Sequence, residues 1–218
     1  MDAVDLRRKS VLIVECDTIK LAHQSLSIGS KIFKILKSLF KTNPIELVEI
    51  TTEVELLKKF SELAYIKRKF RNIIIIGHSN QEGLRISSDR FVKWSGVASW
   101  FATFEPQRIL LIACNAGRWL PCAFLFNGIQ NLKEIYGSPI PTSNNQAYFV
   151  ILATLYILGA KKTDPLLFQI SQLGNFILTK GVIFKQTRYE FEKGGRTEGV
   201  LWTVAEPFIE KIINAIRS

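Results

Sequence analysis

The chain has 218 residues, of which 47% are hydrophobic and 22% are charged. These values suffice for one sizeable core and exclude a chain that is disordered or membrane-embedded as a whole. The formal net charge of +10 favours anionic partners such as nucleic acid, acidic protein surfaces or anionic lipid. The lysines and arginines are scattered, however, and no motif supports nucleic-acid binding.

The three cysteines, Cys16, Cys114 and Cys122, each lie in an apolar stretch, without a CxxC pair or a Cys/His metal-ligand spacing. This pattern predicts neither a zinc site nor a disulfide framework, and it fits a reducing compartment. The apolar run near the N-terminus is too short for a signal peptide, and the longest apolar segment, Ala147 to Ala160, is too short to cross a bilayer. We therefore expect a cytoplasmic protein without a transmembrane segment.

Strand-like and helix-like segments alternate along the first two-thirds of the chain. Short apolar runs predict strands, and apolar residues at helical spacing predict the helices between them. Glycine, proline and polar clusters mark the boundaries. The predicted elements are strand Val11–Cys16, helix Ser25–Lys41, strand Ile45–Ile50, a helix capped by Thr51 or Thr52 and running to about Arg68, strand Asn72–Ser79, a hairpin with its turn at Ser87-Ser88-Asp89, a helix from Ser95 to Phe104, strand Arg108–Cys114, a helix from near Trp119, a strand or loop at Ser138–Thr142, and helix Ala147–Leu158.

Two of these strands indicate the fold class. Asn72–Ser79 contains four consecutive isoleucines and Arg108–Cys114 reads RILLIAC, so neither can alternate between core and solvent. Strands buried on both faces are typical of a parallel sheet covered by helices. The pattern predicts a three-layer α/β domain with a mostly parallel central sheet. The carboxyl ends of its strands should share one edge, which is where ligands bind in open sheets.

The pattern changes from Thr163 onward. Phe168–Glu192 has apolar residues at helical intervals, and Trp202–Arg217 predicts a final amphipathic helix. We therefore divide the chain into an α/β domain at 1–162 and a helical C-terminal extension at 163–218, packed on the same domain. The apolar surface of Phe168–Phe184 needs a cover, which we expect to be the core or a dimer contact rather than lipid.

His78 and Cys114 form the candidate site. His78 ends the isoleucine strand and Cys114 ends the next core strand, so both should project from one sheet edge. A helix that starts just after a thiol favours its ionised form, and a nearby imidazole can act as the base. Backbone N–H groups at Ser79 and Cys114 could stabilise an oxyanion. Cys16 and Cys122 have a structural interpretation, because cysteine is among the most buried residue types.

The stretch from Ile73 to Gly117, with its segments IIIIGHS, GLRIS and ILLIACNAG, resembles the caspase-like (clan CD) cysteine peptidases, above all the compact bacterial and CHAT-type members. The resemblance covers roughly Val11 to Ala160. It implies that His78 is the general base or the ion-pair partner and that Cys114 is the nucleophile, with a protein or peptide substrate and no cofactor. It also implies a regulatory protein partner, in bacterial defence or cell death. After the histidine the family usually has glycine, whereas this chain has Ser79.

The resemblance also implies candidates for substrate binding. Asp17 follows the first strand, where an acidic group would select a basic residue before the scissile bond; its alternative roles are to cap the first helix or simply to end the strand. The other candidates are Asn115 and Arg118 beside the nucleophile and Ser143 and Asn144 in a later loop.

We considered three alternatives to a cysteine peptidase, and the sequence argues against the first two. GHSNQEG lacks the glycine that a serine nucleophile elbow needs two residues after its serine, and no histidine follows His78. Neither a Walker A nor a GxGxxG element is present. A catalytically inactive caspase-like scaffold or binding module remains open as the second interpretation.

Overall fold

The computed structural model of the chain describes residues 10–16, 27–39, 43–87, 90–114, 116, 118–137 and 184–192. Strands and helices alternate through most of this part, as the sequence predicts. The elements are β1 Val11–Cys16, α1 Ile28–Leu39, β2 Ile45–Ile50, α2 Glu53–Tyr65, β3 Asn72–Ile76, β4 Gly83–Ser87, β5 Arg90–Lys93, α3 Trp94–Ala102, β6 Arg108–Ile112, α4 Trp119–Gly128, β7 Glu134–Gly137, β8 Phe184–Thr187 and α5 Arg188–Glu192.

The main sheet has the strand order β2-β1-β3-β6-β7-β8. Its first five strands are parallel to their neighbours, and β8 pairs antiparallel with β7 at the edge. Strands β4 and β5 form a separate antiparallel hairpin. The prediction of an α/β fold with a mostly parallel sheet is therefore confirmed.

The core forms because the central strands are buried on both faces. All five residues of β3 are buried, as are the last four of β6. One large apolar cluster joins alternate strand residues to helices α2, α3 and α4, and within it the ring of Phe60 contacts those of Phe101 and Phe104. Helix α1 lies against β1 and β2, where the Gly29 N–H donates to the buried Glu15 carboxylate.

The helix boundaries follow from local chemistry. Thr52 caps α2 as predicted: its hydroxyl accepts from the Glu55 N–H at 3.2 Å, while the Glu55 carboxylate accepts from the Thr51 hydroxyl and N–H. These hydrogen bonds lower the pKa of the Glu55 carboxyl below its ordinary value, and the bond from the Thr51 hydroxyl has the largest effect. The prediction that Ser95 caps the next helix is wrong, because α3 begins at Trp94 and Lys93 is its cap residue, without a side-chain bond.

The strand at β7 was not predicted. We expected a strand or loop at 138–142, yet β7 ends at Gly137, and 138–142 lies outside the described residues. This strand has only four residues and begins with the charged Glu134, so its apolar run is too short to predict a strand. In the sheet, Glu134 lies opposite Arg108 and their side chains form an ion pair at 2.7 Å, which accounts for the charge.

The C-terminal extension is not helical throughout. Helical spacing over Phe168–Glu192 predicted helix, but Phe184–Thr187 is strand β8, and the helix that follows spans only Arg188–Glu192. The open edge of β7 offers unpaired backbone groups, and pairing with them outweighs the local pattern. The predicted helices Ala147–Leu158 and Trp202–Arg217 lie outside the described residues, and the division of the chain at residue 162 stays a prediction.

Candidate active site

His78 follows the end of β3 and has a fixed main chain. The strand's last pair is Ile76 with Ile112 of β6, and the Gly77 N–H still donates to the Ile112 carbonyl at 3.1 Å. One residue further along the chain, the His78 carbonyl accepts a hydrogen bond from the Arg85 N–H of β4 at 2.8 Å. The side chain is half-buried. The imidazole thus emerges at the carboxyl edge of the sheet from a backbone held on both sides.

Gly77 is required by close packing at this edge. A Cβ at this position would lie 3.3 Å from both the Cβ and the carbonyl oxygen of Cys16, the last residue of β1. The absence of a side chain therefore lets the segment before His78 pass closely over the end of β1.

Asn80 organises the turn that follows the histidine. Its side-chain oxygen accepts from the N–H groups of Glu82 and Gly83, both at 2.9 Å, and its own N–H donates to the Gly83 carbonyl. The buried Trp94 donates its indole N–H to the Asn80 carbonyl at 3.1 Å. Sequence reasoning missed both residues as parts of the site. Asparagine three residues before glycine was the available signal, because this side chain closes turns through backbone N–H groups.

Cys114 lies two residues beyond the last residue of β6, as His78 lies two beyond the last residue of β3. It lies within a turn, in which the Ala116 N–H donates to the Ala113 carbonyl at 3.4 Å. Because the two strands are parallel neighbours in equal register, the residues share one sheet edge. This part of the sequence prediction, in which both residues follow adjacent strands, agrees with the structure.

The structure describes all three cysteines and distinguishes Cys114 among them. Cys16 and Cys122 are each 1% exposed, whereas Cys114 is half-buried, and none of the three forms a disulfide. Burial raises the pKa of the Cys122 thiol to about 12. Cys122 is therefore a poor nucleophile at neutral pH, and Cys114 is the accessible thiol of the set.

Ser79 links the two halves of the site directly. Its hydroxyl donates to the main-chain carbonyl of Cys114. The side chain belongs to a residue that is only 9% exposed, so it points into the protein rather than into a cleft where substrate could meet it. The hydroxyl therefore occupies the junction between the end of β3 and the end of β6.

The N–H of Ser79 is directed away from β4. Ser79 and Leu84 form an antiparallel bridge whose two bonds come from the flanking residues: Arg85 N–H to the His78 carbonyl and Asn80 N–H to the Gly83 carbonyl. In such a non-hydrogen-bonded pair, the N–H groups of the two facing residues point outward. The predicted oxyanion donor at Ser79 is thus not consumed by the hairpin.

The remaining predicted site residues divide into two groups. Arg118 is exposed and is the N-cap residue of α4, without a side-chain capping bond. Asp17, Asn115, Ser143 and Asn144 lie outside the described residues. Their proposed roles in substrate binding stay predictions.

Across the described ranges, no group of three or more His, Cys, Asp or Glu side chains is arranged to hold a metal ion. In the same part of the chain, no helix has both the length and the apolar character needed to span a membrane. Comparison of the sequence with protein-family models and with curated proteins found no match.

Proposed function

We propose that this chain is a caspase-like cysteine peptidase in which Cys114 is the nucleophile and His78 the general base. The observation that carries the proposal is that neighbouring parallel strands hold the half-buried imidazole and the one accessible thiol of three at the same sheet edge. The Ser79 hydroxyl, bonded to the Cys114 carbonyl, supports a fixed relation between them. A fixed pair of thiol and imidazole is the arrangement that nucleophilic catalysis by cysteine requires.

The reaction would proceed in two steps. His78 takes the proton of the Cys114 thiol, and the thiolate attacks the carbonyl carbon of the scissile peptide bond. The resulting tetrahedral intermediate breaks down when the His78 imidazolium gives that proton to the departing amine. The thioester that remains is attacked by water, from which His78 takes a proton. The second tetrahedral intermediate releases the carboxylic acid and restores the thiolate.

The negative oxygen of each intermediate would be stabilised by main-chain donors. Ser79 supports this role because its N–H is directed away from β4 and belongs to a backbone fixed by the flanking bonds. A donor held in place before the reaction is more effective than one that must reorient. The N–H of Cys114 itself is the second donor that we propose.

A protein or peptide is the substrate class that this chemistry serves. Asp17 would favour a basic residue before the scissile bond, and the exposed Arg118 at the start of α4 would lie at the rim. The three-layer arrangement of the caspase-like fold, helical structure in the parts of the C-terminal extension outside β8, and control by a regulatory protein partner belong to the same proposal.

Hydrolysis of a fluorogenic peptide library tests the proposal. Wild-type protein should cleave library members, with preference for Arg or Lys before the scissile bond. Cys114→Ala should abolish cleavage, and His78→Ala should reduce kcat by about 10²–10⁴-fold, the usual contribution of a general base. Cys122→Ser is the matched control, because it removes a buried thiol but keeps a donor for the Ala116 carbonyl, and it should retain activity.

Cleavage that survives Cys114→Ala contradicts a peptidase with this nucleophile. Because we propose control by a partner, a wild-type chain that cleaves no library member contradicts peptidase function only if its Cys114 is also alkylated no faster than in His78→Ala. The second result would favour the binding-module interpretation. Cleavage without preference for Arg or Lys contradicts only the role of Asp17, since the dyad itself does not depend on the side chain before the scissile bond.

A further inference from the structure

The segments that carry His78 and Cys114 are held by different groups. The histidine segment is fixed by the bridge to Leu84, by the Asn80 side chain and by the buried indole of Trp94. Cys114 lies in a turn in which the Ala116 N–H donates to the Ala113 carbonyl at 3.4 Å and the Ala116 carbonyl accepts from the buried Cys122 thiol at 3.8 Å. A connection from the first segment to the second would transfer the rigidity of the hairpin to the nucleophile.

We propose that Ser79 is the positioning residue of the site and that its hydroxyl sets the position of the Cys114 thiol relative to the His78 imidazole. The hydroxyl donates to the carbonyl of Cys114 itself, not to a neighbouring side chain. It therefore acts on the backbone from which the thiol projects. This inference rests on the proposed function only in taking His78 and Cys114 as the reacting pair.

The physical reason lies in the backbone torsion of Cys114. The carbonyl of Cys114 lies within a turn, beyond the end of β6 at Ile112, and it accepts the hydrogen bond from the Ser79 hydroxyl there. A donor at a fixed point restricts the rotation of the Cys114 carbonyl and, with it, the placement of the Cα–Cβ bond. Small displacements of a reacting group are costly to rate, so a fixed carbonyl matters more here than in an ordinary turn.

The same bond argues against a nucleophilic role for Ser79. Its hydroxyl proton is directed to a carbonyl, the residue is 9% exposed, and the imidazole that could activate it belongs to the adjacent residue in the chain. Ser79 would not react. It would act through Cys114.

The test compares Ser79→Thr with Ser79→Val, two side chains of nearly equal shape that differ in the hydroxyl. The readout is the rate of Cys114 alkylation by iodoacetamide between pH 6 and 9, measured by mass spectrometry in the full chain. We expect Ser79→Thr to stay near the wild-type rate at pH 7 and Ser79→Val to be slower by about tenfold, the scale of one lost hydrogen bond. Ser99→Ala, which removes another hydroxyl-to-carbonyl bond in α3, should leave the rate unchanged.

Combination with His78→Ala distinguishes positioning from simple loss of stability. If the hydroxyl acts by placing the thiol near the imidazole, Ser79→Val should add nothing in a His78→Ala background, because coupled residues are not additive. Equal rates and equal pH profiles for Ser79→Thr and Ser79→Val overturn the positioning role, as does a Ser79→Val effect that persists without His78. A His78→Ala chain that alkylates at the wild-type rate instead contradicts the dyad, and with it the proposed function.

Discussion

At the scale of single residues, Glu15 stands out because it is a carboxylate buried outside the candidate site. It is 4% exposed and lies directly opposite Glu49 in the β1–β2 register. Burial raises the pKa of Glu15 above its ordinary value of 4.5, and the Glu49 charge adds to this, while hydrogen bonds from Ser27 and Gly29 act in the opposite direction. The carboxylate accepts a hydrogen bond from the Gly29 N–H in the first turn of α1, but its burial removes it from water, which disfavours the charged form.

Glu15→Gln should therefore change how stability depends on pH. Between pH 4.5 and the raised pKa of Glu15, the folded chain binds more protons than the unfolded chain, so this group's contribution to stability falls as pH rises. Glutamine keeps an oxygen for the Gly29 N–H and carries no charge. The free energy of unfolding of Glu15→Gln, relative to wild type, should increase from pH 5 to pH 7.5 in urea titrations.

The matched control for this measurement is Glu46→Gln, the same substitution at a half-buried position of β2, which reports the general effect of removing a carboxylate. A difference between Glu15→Gln and wild type that stays constant across the pH range would show that the burial of this carboxylate does not affect stability.

At the scale of elements, helices α3 and α4 pack unusually closely. A Cβ built on Gly128, the last residue of α4, would lie 2.6 Å from the Cβ of Ala98 in α3. Ala98 is buried, so it has no free space to move into. Gly128 and Ala98, both small, therefore set the distance between α3 and α4.

Gly128→Ala should destabilise the chain by about 1–3 kcal/mol through overpacking at this contact. The measurement is the free energy of unfolding in urea. In an Ala98→Gly background the added methyl has room, so the cost of Gly128→Ala should become smaller there. Equal costs in both backgrounds would mean that the contact between the two Cβ positions does not limit the helix spacing.

At the scale of the whole molecule, Arg188 joins the C-terminal part of the described chain to the rest. Its guanidinium donates to the carbonyls of Phe126, Ile129 and Leu132 at 2.7–2.8 Å, around the end of α4. The start of α5 thereby satisfies carbonyls that a helix end leaves without partners. This arrangement fixes β8 and α5 on the sheet edge next to β7.

Arg188→Ala should lower the free energy of unfolding by about 2–3 kcal/mol, because charge-assisted bonds to several carbonyls are lost together. Arg188→Lys keeps the charge but not the planar set of donors, so it should give an intermediate loss. Arg90→Ala is the control, since it removes a mostly exposed arginine paired with Glu53 and should cost less than about 1 kcal/mol. Equal losses for Arg188→Ala and Arg90→Ala would contradict the role of Arg188.

Features that depend on local pattern could be predicted from the amino-acid sequence. Four consecutive isoleucines require burial on both faces, and this places His78 at the end of a central parallel strand; the RILLIAC run does the same for Cys114. The cap of α2 followed from the Thr52 hydroxyl, which acts within one turn of its own backbone, and the approximate helix positions followed from apolar spacing; the predicted Ser95 cap was wrong. These parts were predictable because the residues responsible are close together in the chain.

Features that join distant segments depend on the assembled fold and could not be predicted from local pattern. Strand β8 pairs with β7 against its own helical pattern, because an open sheet edge offers backbone partners that the sequence does not reveal. In the same way, nothing in the pattern around Ser79 indicated that its hydroxyl meets the Cys114 carbonyl, 35 positions along the chain. Register between strands brings these groups together, and register is a property of the assembled sheet.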